Sequence, residues 1–408
     1  MLSACGGGGD ANADTEGSSG FTLMFSSPSA ATSPYELLAD AYMKEHPDVT
    51  ITLNRQPIDT YDTTLRTQLQ AGNASDLVQT APGSGLARSV IALAEEGFLA
   101  PLNESSAALV PEDVKDQFQI DGETFGQPLD YTVFSLITND TAAKELGLNE
   151  FPTDFDEYLA ACKTSAEQGK YMLALQGLAG PSAGYTSLVI AATRVYAETP
   201  DWDAQRAAGD VTFADSEGWH DTLQTFIDLD KNGCFQEGAE GAGAGVSANL
   251  ISSGQAVNYT APGVVSVEIL EAAPKGTELS VRAFPPAAGE KPTVLASSNF
   301  SLSVTAESKN QPAAQAFLDW LKEPAQAELY EEVTGTLHVS ARENLDLSGG
   351  RHAPVAELLE SGSTASLPIN NWPNAQVFDE LVTGAQGLLT GQRTIDQVLA
   401  AMDAAWTK

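Results

Sequence analysis

Gly180-Pro181-Ser182-Ala183-Gly184 is the segment of this chain that most openly invites a catalytic reading. A G-x-S-x-G turn exposes a serine nucleophile when a strand runs straight into it and a helix straight out. A helix is expected after it, but Gln176-Gly177-Leu178-Ala179 intervene after an expected strand at 172–175. His220, His338 and His352 lie downstream, so chain order alone permits a triad. With 35 Gly in the chain, a chance match is the better account. Asp228-Leu229-Asp230-Lys231-Asn232-Gly233 begins like a calcium-binding loop, but the twelfth position, where a bidentate Glu belongs, is Ala239. A helix ending with Gly233 just beyond it explains the run better. The 55 Asp and Glu could supply a glycosidase acid–base pair, yet sequence singles out no pair. No His-x-x-x-His, Cys-x-x-Cys or phosphate-cradling lysine loop occurs. No catalytic residue, metal or cofactor is therefore expected.

The elements that would position any site alternate at first between strand and helix. Residues 21–25 read as a strand leading into Ser26-Ser27-Pro28. A helix over 34–45 follows, with Ser33 as N-cap, Pro34 at the first position and Glu36 completing a capping box. Val49, Ile51 and Leu53 alternate, so 49–54 is a second strand. A helix over 60–71, a short strand at Leu77-Val78 and a helix ending at Gly97 complete the run. Such short alternating units predict a doubly wound α/β layer, whose binding crevice lies at the carboxyl ends of the strands. Ser26, Ser27 and Thr80 occupy such ends. Helical periodicity returns at 154–168, 186–197 and 216–231, and a Gly/Ala-rich loop runs from Gly238 to Gly245. A strand is expected at 299–305 and a helix at 312–322. Helices at 375–389 and after Thr394, with Gln397 at N3, close the chain. Trp219 and Trp320 sit on apolar helix faces and are expected in the core.

The chain has 408 residues, which predicts two domains, and 15 Phe, 10 Tyr and 5 Trp to fill their cores. Lys+Arg is 20 against 55 Asp+Glu, a net charge of −35. That excess argues against nucleic acid, which needs clustered cations, and against docking on anionic lipid. No apolar run is long enough for a transmembrane helix.

Leu2-Ser3-Ala4-Cys5, followed by four glycines, resembles the lipobox of bacterial lipoproteins. The resemblance implies that Cys5 carries the lipid and that residues 1–20 form the lipobox and a flexible tether. The basic and apolar parts of a signal peptide do not precede Leu2; a start upstream of Met1 would supply them. Cys162 and Cys234 then remain as an even pair, open in an exported protein to a disulfide or to two buried thiols.

Seven stretches in order are similar to the extracellular solute-binding proteins of bacterial ABC importers, in the sugar and oligosaccharide group. They are the strand-to-helix opening at 21–45, "TQLQAGNASDLVQTAP", "LAEEGFLAPL", "GETFGQPLDYTVFSLITN", "SSGQAVNYTAPG", "SSNFSLSVTAESKNQPAAQAFLDWL" and "LLTGQRTIDQVLAAM". The resemblance implies an α/β, two-lobe periplasmic-binding-protein-like fold with a hinge and an interlobe ligand cleft. Carried over, lobe one is 21–131 plus 296–342, and lobe two is 132–295 plus 343–408. It further implies a lipid-anchored protein on the extracellular face of the membrane, monomeric, that hands a carbohydrate to permease subunits.

A sugar site needs aromatic platforms and polar groups that hydrogen-bond in both directions. Positions matching the family's cleft are Asp130 and Tyr131 at the first crossing, Tyr185, Asn258 and Tyr259, and Asn299 at the second crossing. Near the C-terminus they are Asn371, Trp372 and Phe378, with Trp372 in its polar loop the favoured stacking ring. A secreted carbohydrate hydrolase, a binding protein for another small polar solute, and a surface interaction protein without a small ligand stand as alternatives.

Overall fold

Phe21, Leu23, Met24 and Phe25 are all buried, so the first strand is covered on both faces, as a central strand of a doubly wound sheet must be. The computed structural model describes residues 19–27, 33–178, 181–243, 245–263, 265–334, 336–339 and 350–407. Cys5, the tether and Pro28 lie outside the described residues. The strands in chain order are β1 (Ser19–Ser27), β2 (Val49–Pro57), β3 (Leu77–Thr80), β4 (Gln119–Ile120), β5 (Glu123–Thr124), β6 (Gln127–Pro128) and β7 (Asp130–Asn139). They continue as β8 (Tyr171–Ala174), β9 (Ala256–Pro262), β10 (Leu279–Arg282), β11 (Val294–Ser297), β12 (Ser301–Val304), β13 (Leu337–His338) and β14 (Thr364–Ala365).

Two large sheets result, one in each of two α/β lobes, beside a small hairpin of β4 and β5. The first runs β2-β1-β3-β12-β6, with β1 parallel to both its neighbours and β12 antiparallel to β3. The second runs β14-β11-β7-β9-β8. Its long strand β7 takes β9 along one edge and β13, β11 and β10 in succession along the other. The polypeptide passes between the sheets at β6–β7, at β11–β12 and around β13.

Local signals explain most helices. The helix Pro34–Glu45 has both halves of the Ser33/Glu36 capping box, and Ile395–Trp406 has the Thr394/Gln397 box. The helix Glu217–Lys231 ends with Gly233 at φ +70°, the left-handed turn that glycine adopts without cost. This accounts for the run that begins like a calcium loop. The Gly238–Gly245 region, expected as a loop, includes a short 3-10 turn at Ala239–Gly241. Trp219 is wholly buried, and Trp320 is buried with its indole N–H on Glu45. Cys162, on the helix Phe155–Glu167, and Cys234, just past Glu217–Lys231, are joined by a disulfide with Cα atoms 4.7 Å apart. No helix among the described residues is long and apolar enough to cross a membrane.

Candidate functional site

Ser26 and Ser27 lie at the carboxyl end of β1 and Arg55 toward that of β2, with Gln79 of β3 buried beside them. Ser26 donates both its backbone N–H and its hydroxyl to Gln79 Oε1, each at 2.8 Å. Arg55 donates to the Ser27 hydroxyl at 2.7 Å and pairs with Glu36 at 3.3 Å. Just past the same sheet edge, Arg88 pairs with Asp62 at 2.7 Å. Burial works against the Arg88 charge, but Asp62 more than compensates and holds its pKa above the usual arginine range. Burial raises the phenol of Tyr185 in the opposite lobe, with Arg88 opposing that shift and Asp62 reinforcing it.

Lobe two answers with rings and an amide. Tyr185, on the helix Ser182–Ala191, packs against Phe134 at 4.8 Å and Phe378 at 5.0 Å and keeps part of its surface exposed. The Tyr259 hydroxyl accepts a hydrogen bond from Gln176 at 3.3 Å. Burial, then the neighbouring charge of Glu268 and Tyr185, pushes the Tyr259 phenol up to about 12. Burial, reinforced by Glu271, raises the Glu268 carboxyl, while Arg55 across the cleft opposes that shift. Arg88 Nε and Gln176 Oε1, each buried, have no hydrogen-bond partner among the described residues. The cleft therefore offers tyrosine faces, hydroxyls, amides and two internally paired arginines, Arg55 with Glu36 and Arg88 with Asp62. That chemistry suits an uncharged ligand rich in hydroxyl groups.

The expected residues do not form one cluster. Ser26, Tyr185 and Tyr259 keep part of their surface exposed, and Ser27 is held by Arg55. Thr80 is wholly buried within its sheet, bonded to the hydroxyls of Ser301 and Ser303 at 2.8 Å, so it is corrected to a structural residue. Asn258 is likewise corrected: it is wholly buried in lobe two and bonds Thr138, Tyr158 and the Met172 carbonyl. Phe378 is 3% exposed, its ring covered by Tyr185 and Trp372, and supports the site from behind.

Asp130 proves to be a hinge residue. Its Oδ1 accepts the backbone N–H groups of Asn299 at 2.9 Å and Phe300 at 3.0 Å, and Oδ2 accepts the Thr132 hydroxyl at 2.8 Å. His338 pairs with Asp130 in the sheet, and Val339 N–H donates to the Leu129 carbonyl at 3.0 Å. One wholly buried carboxylate thus joins two of the passages between the lobes, and the backbone of Leu129 and Asp130 pairs with the third. Burial pushes its pKa to about 6, against the pull of those hydrogen bonds. Asn299 serves this hinge through its backbone, and Tyr131 packs half-buried against the small apolar cluster around Val133 and Val281.

Trp372 is the main correction. Its ring is 0% exposed, packed against Phe213 at 5.7 Å, Trp219 at 6.1 Å and Phe378 at 6.4 Å, with no face left for a ligand. Its indole N–H donates to Asp203 Oδ1 at 3.3 Å, and Tyr196 donates to the same oxygen at 2.7 Å. Asn371 donates to Asp203 Oδ2 at 3.0 Å and accepts from Gln117 of lobe one at 2.9 Å.

Burial raises the Asp203 carboxyl from 3.8 to about 6, with its three donors opposing the shift. A carboxyl whose folded pKa is raised stabilises the fold most when protonated. Its contribution falls as pH rises from the unfolded value toward 6 and is flat above. Asp203→Asn cannot titrate. The stability of the wild-type chain relative to this variant is therefore expected to be about 2 kcal/mol greater at pH 4.5 than at pH 7.5. Urea midpoints of both proteins at the two pH values check this; a pH-independent difference would show that Asp203 titrates normally.

Sequence reading missed Asp62, Arg88, Gln79 and Gln176. A usable signal existed for Arg88: it follows the third strand closely, and only 20 Lys and Arg stand among 55 acidic residues. The nucleophile reading of Ser182 gains no support, since its buried Oγ has no hydrogen-bond partner among the described residues. Among the described residues, no group of three His, Cys, Asp or Glu side chains could hold a metal ion.

The matching family model, described as bacterial extracellular solute-binding protein, covers residues 26–328. No curated protein matches the sequence. Among solved structures, a chitin oligosaccharide binding protein is 17% identical with a TM-score of 0.75, over 95% of this chain and 98% of that one. The GacH receptor of Streptomyces glaucescens, solved unliganded and with acarbose, is 19% identical with a TM-score of 0.72, over 95% and 97%. The raffinose complex of the solute-binding protein RafE is 17% identical with a TM-score of 0.73, over 95% and 98%. At such identities these likenesses speak for the two-lobe architecture, and the family match carries the rest: the chain belongs to the bacterial extracellular solute-binding proteins.

Proposed function

We propose that this protein captures a carbohydrate, an oligosaccharide above all, in the interlobe cleft and delivers it to the permease of an ABC importer without altering it. What supports this reading is the chemistry about the cleft: the partly exposed Tyr185 and Tyr259 of lobe two, the Ser26 hydroxyl of lobe one, and two arginines paired internally with Glu36 and Asp62. Sugars are the ligands of several proteins that share the fold. Closure of two lobes around such a ligand replaces water by fixed donors and acceptors, and ligand contacts bias the hinge. The lobes are assigned as 21–131 with 296–342 and 132–295 with 343–408, and Cys5 is assigned as the lipid-bearing residue of a monomer held at the extracellular membrane face.

A thermal-shift panel of mono- and oligosaccharides tests the function. A true ligand at one hundred times its Kd adds about 2.7 kcal/mol of stability and raises Tm accordingly. Tyr185→Ala is expected to weaken that ligand by about 1–3 kcal/mol in calorimetry, the cost of truncating a central ring. No shift across the panel sinks the proposal, and release of shortened sugars during incubation supports a hydrolase instead.

A further inference from the structure

Strand β8 ends the order of the second sheet, with β9 along one of its edges. The segment 234–242, which forms no strand, runs beside β8 and the residues that follow it. Leu173 N–H donates to the Cys234 carbonyl at 3.0 Å, Gly177 N–H to that of Ala239 at 2.8 Å and Leu178 N–H to that of Ala242 at 3.1 Å. Between Leu173 and Gly177 the partner is a side chain. Leu175 N–H donates to Gln236 Oε1 at 3.0 Å, and Gln236 Nε2 donates back to the Leu175 carbonyl. The carboxamide of Gln236 thus makes the two bonds that a residue of a neighbouring strand would make. Gln236 is buried, and Phe235 before it packs on Phe226 at 5.6 Å. Gly177 lets the two segments close up, since a Cβ there would lie 2.7 Å from the Ala239 carbonyl oxygen.

Gln176 stands between the two bonded residues Leu175 and Gly177. Successive side chains of an extended segment point to opposite faces, so these bonds fix the side to which Gln176 points. Gln176 Nε2 donates to the hydroxyl oxygen of Tyr259, on β9, at 3.3 Å. Because that oxygen accepts, the Tyr259 hydroxyl must direct its own proton away from Gln176. The Tyr259 side chain is partly exposed.

We propose that Gln236 is a positioning residue for the ligand site: by standing in for a strand at Leu175, it holds Gln176 against Tyr259 and sets the direction in which the Tyr259 hydroxyl donates. Gln236 acts through Leu175 and touches no ligand itself. That role rests on the reading of Tyr259 as a ligand contact, but the hydrogen bonds that serve it are present without ligand.

The test uses the full chain, first with no sugar added, so its outcome is distinct from that of the carbohydrate reading. Gln236→Glu keeps an acceptor for Leu175 N–H but sets a carboxylate oxygen against the Leu175 carbonyl. Protonation of that carboxylate restores the donor. Burial favours the protonated form, as do the acidic residues of the same stretch, Glu237 and Glu240, and Asp230, on which Glu240 acts against the pull of Lys231. Two readouts are taken at pH 7.5 and pH 5, each relative to wild type at the same pH: amide protection in peptides covering 173–178, and the Gln176 side-chain amide resonances, identified by their loss in Gln176→Ala. At pH 7.5 the variant is expected to lose about tenfold in protection, the effect of a buried carbonyl left without its donor, and to shift the resonances. At pH 5 both return to the wild-type values. Gln236→Met, which fills the space without either bond, should lose protection equally at both pH values. Calorimetric affinity for the panel sugars should fall in Gln236→Glu by about tenfold at pH 7.5 and match wild type at pH 5. A merely structural glutamine would lower the urea midpoint and leave the Gln176 resonances in place. That pattern overturns the assignment, as does a loss that pH 5 does not reverse, an unchanged affinity for a sugar that wild type binds, or the failure of both variants to fold. If no panel sugar binds the wild-type protein, the carbohydrate reading falls, and the two readouts without sugar still decide whether Gln236 places Gln176.

Discussion

Replacing Trp372 by alanine is expected to remove about 3–5 kcal/mol of folding stability, the range for truncating a large buried aromatic. The ring has no exposed surface and fills the space between Phe213, Trp219 and Phe378, so the truncation leaves a cavity that four helices and loops must collapse around. It also takes one donor from a buried carboxylate, since the indole N–H bonds Asp203. Trp372→Phe should recover much of the packing without restoring that donor, and so fall between wild type and alanine. Urea unfolding of the three proteins checks the order. Were the alanine variant as stable as wild type but unable to bind sugar, the ring would belong to the ligand after all.

The second large effect concerns the disulfide. Cys162 and Cys234 are 72 residues apart in sequence, and closing so long a loop restricts the unfolded chain strongly. The chain-entropy relation gives about 4 kcal/mol for a loop of this size. The double variant Cys162→Ala, Cys234→Ala is expected to lose stability of that order, with sugar affinity in the folded protein unchanged because both sulfurs lie in the core of lobe two. Intact mass with and without reductant verifies the bond itself, and a urea midpoint equal to that of wild type would refute the estimate.

What could be read without coordinates was what depends on near neighbours in the chain. The capping boxes at Ser33 and Thr394 join residues three apart, and the structure contains both. The strand–helix alternation of the first hundred residues became the parallel strands β2, β1 and β3, because burial of successive apolar residues leaves few other arrangements. Trp372 shows where this stops. Asn370, Asn371 and Pro373 made its loop look wet, yet the ring turns inward onto Phe213 and Trp219, which lie about 150 residues earlier. Asp130 was misread for the same reason, since the amides that claim it belong to Asn299 and Phe300.

By itself the sequence determined the periodicity, the caps, the turn residues and the excess of acid, and through the first three an α/β chain. Tertiary structure alone decided which polar groups are buried and bonded, which tie the hinge at Asp130, and which join the lobes, as Gln117 does through Asn371. Those assignments rest on contacts between residues far apart in the chain. A side chain carries its polarity wherever it goes, but whether that polarity meets water, a backbone amide or a ligand is settled only when distant segments close around it.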